Sequence, residues 1–138
     1  MNCLGPRLFS FLLLTLAAIA LACGTSATRT AQSVTVSPTS ATAPASGAYQ
    51  FTAIGYFSTP PSPVTPLTAT WGACSLDGSA TTAVTVSNAG LAQCASGASS
   101  AYTIWAFVQN ANGDTCNVIT ACGGGCSRVT GTARLTCP

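Results

Sequence analysis

From Ser33 onward, short runs rich in Val, Thr, Ile, Phe, Tyr and Trp recur between clusters of Gly, Pro, Asn and Ser, and apolar residues nowhere repeat at helical spacing over two or more turns. That pattern constrains the fold more than any other feature. Side chains of a strand alternate between its two faces, so a period of two, bounded by turn formers, predicts half-buried strands. The first run spans Ser33 to Pro38 and alternates through Val34 and Val36; Tyr49, Phe51, Ala53 and Gly55 mark the second. A third, Leu67 to Trp71, follows the proline-rich loop from Ser58 to Pro66. Val84 and Val86 lead to the turn Asn88-Ala89-Gly90, and Leu91 to Cys94 follows it. Tyr102, Ile104, Ala106 and Val108 alternate in the clearest run, with Trp105 and Phe107 on its other face. The last run, Arg128 to Cys137, alternates through Val129, Gly131, Ala133 and Leu135. The expected fold is all-β, a sandwich of about seven strands.

The first residues carry a different signal. Arg7 precedes an apolar run from Leu8 to Leu21, broken only by Ser10 and Thr15. Those 14 residues (8 to 21) would span about 21 Å as a helix. A hydrocarbon core is roughly 30 Å thick, so the run reads as an export signal and not as a membrane-spanning helix. Ala20-Leu21-Ala22-Cys23-Gly24 resembles the processing site of bacterial lipoproteins, with Ala20 where Leu is more usual. The resemblance implies removal of residues 1–22, Cys3 among them, and acylation of Cys23. The mature chain would then have 138 − 22 = 116 residues, enough for one domain. Residues 24–32 are small and polar, and read with Cys23 as a lipidated tether reaching roughly 15 to 18 Å, ahead of a domain over 33–138.

Charge is nearly absent. Arg7, Arg29, Arg128 and Arg134 face only Asp77 and Asp114, and the chain has no Lys, Glu or His. No field of one sign gathers, which argues against a nucleic-acid partner. With 48% hydrophobic residues the chain is not of the disordered class. General acid–base or nucleophilic catalysis needs a base, and two aspartates without a histidine cannot assemble a triad. The expectation is therefore no enzyme, no catalytic residue, no cofactor and no small-molecule substrate. Asp114 beside Asn110 and Asn112 lacks the oxygen-ligand spacing of a calcium loop, and Asn112-Gly113 reads as a tight turn. Gly123 to Gly125 lacks the lysine of a phosphate loop and reads as a turn between half-cystines.

Six cysteines remain beside Cys3 and Cys23: Cys74, Cys94, Cys116, Cys122, Cys126 and Cys137. An even number in a short exported domain predicts disulfides. Zinc is the competing reading of the last four. Their five, three and ten intervening residues lack the two-residue knuckle of zinc ribbons, so no metal is expected.

Taken in order, Val34-Thr35-Val36-Ser37-Pro38, Gln50-Phe51-Thr52-Ala53 after Gly47, Thr70-Trp71, Ala83-Val84, Gly90-Leu91, Tyr102-Thr103-Ile104 and Gly131-Thr132-Ala133-Arg134-Leu135-Thr136 resemble a bacterial immunoglobulin-like domain of group 2 (BIG2). The resemblance covers nearly everything from Ser33 to Thr136. Its cysteines and the insertion from Asn110 to Ser127 depart from the family pattern. It implies an immunoglobulin-like strand order, in which Cys74, after the third strand, and Cys94, at the end of the fifth, lie at one end of the sandwich. Cys74–Cys94 is then the preferred disulfide, Cys137 lies at that same end, and Cys122 and Cys126 lie opposite; the other pairings stay open.

That order also implies that the loop with Ser58, Pro60 and Pro61 shares an end with Asn110, Asn112 and Asp114, near the tether. This end is the expected partner-binding surface, with the face around Trp105 and Phe107 as the next candidate. Trp71 reads as a core residue. The expected role is a structural or protein-interaction module of a bacterial cell envelope, with a neighbouring envelope protein as partner. The other reading is a ligand-binding module, an adhesin or glycan-binding domain.

Overall fold

The computed structural model describes residues 29–44, 47–108, 122 and 129–138. Among them are nine strands: β1 (Ala31–Ser37), β2 (Ser40–Thr42), β3 (Ala48–Gln50), β4 (Thr52–Phe57), β5 (Thr70–Ser75), β6 (Val84–Val86), β7 (Leu91–Cys94), β8 (Ala101–Phe107) and β9 (Thr130–Thr136). One layer is the sheet β2-β9-β8-β5; the other joins β1-β4 to β3-β7-β6. β3 and β4 are one run interrupted at Phe51, whose amide donates to the Gly90 carbonyl at 2.9 Å instead of to a strand partner. The order β1, β3/β4, β7, β6 against β5, β8, β9 is that of an immunoglobulin-like β-sandwich.

Alternation explains the core. Trp71 and Ala73 of β5, Ile104 and Ala106 of β8, and Ala133 and Leu135 of β9 meet Val34 and Val36 of β1 and Phe51, Ala53, Val84 and Ala92 from the other layer. Full burial of a side chain such as Phe51 or Ile104 contributes about 1.5–3 kcal/mol each. Gly131 belongs to the same inward phase, but β1 crosses it so closely that a Cβ there would lie 2.8 Å from the Val34 carbonyl oxygen.

Three elements differ from the expectation. β1 begins at Ala31, two residues early, so the end of the expected tether belongs to the fold. β2 has no apolar pattern; it exists because the chain leaves β4 after Ser37 and pairs in parallel with β9, Ala41 opposite Leu135. The third strand starts and ends later than Leu67 to Trp71, so Cys74 lies inside β5 and not beyond it.

Candidate interaction surfaces

Strand register places the functional candidates. Ala31 pairs with Phe57, Thr70 with Phe107, and Phe107 with Thr130. The start of β1, the end of β4 and the strand ends flanking residues 108–129 therefore share one end of the sandwich, as expected. Asn110, Asn112, Asp114, Cys116, Cys126 and Gly123 to Gly125 lie outside the described residues, as do residues 1–22, Cys23 and the first part of the tether.

Ser58 to Pro66 folds back along β4. Gly55 and Val64 exchange backbone hydrogen bonds of 3.0 and 2.9 Å, and the Phe57 amide donates to the Ser62 hydroxyl at 2.9 Å. Pro60, Pro61, Pro63 and Pro66 stay exposed. Without amide hydrogens they extend no ladder, which leaves their rigid rings at the surface. The start of the chain is fastened to this loop. The Arg29 side chain donates to the carbonyls of Thr59 and Pro61, and its guanidinium carbon lies 3.8 Å from the centre of the Phe57 ring. The Ser58 hydroxyl accepts from the Thr30 amide at 3.1 Å, and the Ser58 amide donates to the Thr30 carbonyl at 3.0 Å. Tyr56, one residue before Phe57, is 40% exposed. The sequence signal for Arg29 was slight: a lone cation among Thr, Ala and Ser.

A second surface, the outer face of β5 and β8, is covered. Trp105 is 1% exposed and Phe107 3%, and their rings stack with centroids 5.4 Å apart. Cys74 and Cys122 complete this small cluster. The Trp105 indole N–H is buried with no hydrogen-bond partner among the described residues. An unmade bond of that kind costs about 1–3 kcal/mol.

The disulfides correct the preferred Cys74–Cys94 pairing. Cys74 bonds Cys122, and Cys94 bonds Cys137, with Cα atoms 5.8 and 5.9 Å apart. The physical reason is strand phase. Trp71 and Ala73 point into the core, so Cys74, next in β5, points outward to Trp105, whereas Cys94 of β7 belongs to the inner cluster of the other layer. The two cannot meet through the sandwich. Cys94 and Cys137 do share the remote end, where the Cys137 amide donates to the Ser100 carbonyl at 3.0 Å. Cys122, expected at the opposite end, reaches Cys74 at the level of Thr103, four residues or about 14 Å along β8 from Phe107. Two disulfides fit an oxidising, exported compartment.

The remaining candidates have structural roles. Trp71 is 9% exposed and lies in the core, reaching only the floor of a groove of about 460 Å³ that also touches Gln50, Leu67 and Asn88. Asp77 accepts from the hydroxyl and amide of Ser79, at 2.7 and 3.0 Å, and these bonds hold its carboxyl below the usual range. It closes the turn after β5. Among the described residues no three His, Cys, Asp or Glu side chains converge on one point. No protein-family model matches the chain, and no curated protein matches it.

Proposed function

We propose that the protein is an exported, non-enzymatic, lipid-anchored module of a bacterial cell envelope, built on a BIG2-type immunoglobulin-like domain. It holds a rigid, disulfide-braced surface close to the membrane and has partners in the same envelope. The observation that carries this reading is the position of Cys23. It directly follows the apolar run, and Arg29, the first described residue, is 29 − 23 = 6 positions later and already docked on the sandwich. Buried methylenes of two or three acyl chains, each contributing ~0.8 kcal/mol, make such an anchor stable. The non-enzymatic part is supported by a chain without His, Lys or Glu, in which one of two aspartates is already engaged in a turn. Mass spectrometry of the protein from its host is expected to yield an acylated peptide beginning at Cys23, and Cys23→Ser to release the protein or stall its processing. A mature N-terminus elsewhere refutes the anchor.

A further inference from the structure

We infer that the end of the sandwich formed by Tyr56, Phe57 and the loop from Ser58 to Pro66 rests on the phospholipid headgroup surface, so that the opposite end faces away from the membrane. The inference rests on the proposed acylation of Cys23. Its geometric basis is the docking of Arg29, which moves the effective start of the domain to that loop and shortens the tether. Six residue steps from Cys23 to Arg29 span at most about 21 Å, and about 12–15 Å root-mean-square. Each headgroup layer is itself roughly 5–7 Å deep, and Cys23 must stay within it while its acyl chains are in the core. The near end can therefore stand at most about 14–16 Å off the surface, and lies closer at the root-mean-square reach. The remote end lies farther by the length of β8, whose seven residues span about 20 Å.

The chemistry of the near end suits a headgroup layer. Tyr56 is 40% exposed, and an exposed tyrosine has an apolar body with a polar tip, the character that enriches it at membrane interfaces. The four prolines are exposed and rigid, so contact orders little that is not ordered already. Arg29 places a cation at this end, which suits anionic lipid. The loop that the sequence alone assigns to a protein partner is, in this arrangement, occupied by lipid.

The test uses the mature lipidated protein from its host in nanodiscs of phosphatidylethanolamine and phosphatidylglycerol doped with a nitroxide-headgroup lipid. Amide signals of Tyr56, Ser58, Thr59, Ser62, Val64 and Thr65 are expected to broaden several-fold more than those of Gly78 and Ser96 to Ser100. A Gly-Ser insertion of about fifteen residues before Arg29 should abolish the difference by lengthening the tether. Equal broadening at both ends, or stronger broadening at the remote end, overturns the inference while leaving acylation intact. So does a near end that is unbroadened in nanodiscs yet protected from deuterium exchange in native membranes, which would assign it to a protein. An intact mass without acyl chains removes the anchor itself, and is read independently of the broadening.

Discussion

Gly72 of β5 stands opposite Trp105 of β8, and the indole lies so close over it that a Cβ at position 72 would overlap Cζ2, Cε2 and Cη2 of the ring. The stacked pair Trp105–Phe107 leaves that ring little freedom to retreat. Gly72→Ala is therefore expected to destabilise by about 1–3 kcal/mol, and Gly72→Val by more. Thermal or denaturant unfolding of the oxidised protein checks this; an unchanged midpoint for both variants would mean that the indole repacks freely.

Peptide mapping of the oxidised protein should recover Cys74 linked to Cys122 and Cys94 linked to Cys137, with no thiol open to alkylation. The bonds close loops of 48 and 43 residues, so the chain-entropy model gives about 4 kcal/mol for each. Cys122 is half-buried whereas Cys137 is buried, so mild reductant should open Cys74–Cys122 first. A Cys74–Cys94 peptide would contradict the strand phase described above.

Trp71→Ala should cost roughly 3–5 kcal/mol, because it empties volume between the two layers beside Phe51 and Leu67. A melting temperature unchanged by this substitution would take Trp71 out of the core and leave its ring free to stack on a ligand such as a glycan.

Stability should be flat from pH 5 to 8, since the chain has no histidine to titrate there. The Ser79 hydroxyl and amide hold the carboxyl of Asp77 below its unfolded value of about 3.9. A depressed acid contributes stability that is present above the unfolded value and lost as pH falls through the folded one. Melting temperatures are thus expected to decline only below about pH 4, and Asp77→Asn to flatten that decline.

What the sequence made legible follows from how local each signal is. β8 and β9 were readable because Tyr102, Ile104 and Ala106, and then Ala133 and Leu135, alternate without interruption and keep that phase in the core. β2 was not, because Ser40, Ala41 and Thr42 carry no pattern and depend on a strand more than ninety positions away. The third strand was placed too early: Leu67 is as apolar as a strand residue, but its amide serves the Ala53 carbonyl from the loop. That shift of a few residues puts Cys74 inside β5, on its outer face, and not beyond the strand end, and hence changes the disulfide. Strand direction gave the common end of the strand ends flanking the two loops, whereas the docking of Arg29 depends on a ring and two carbonyls brought together only by tertiary structure.

The Cys94–Cys137 bond also changes how the domain would bear a load. A pull applied between Arg29 and Pro138 enters through β1 at one end and reaches Cys137 at the other, where it passes covalently into β7 before β9 is stretched. With Cys74–Cys122 closing a second ring, the chain from Cys74 to Cys137 is held in cross-linked loops. Force would peel away the strands ahead of Cys74 and then meet covalent resistance. In its oxidised form the domain has a fixed maximum extension, and reduction would lengthen it.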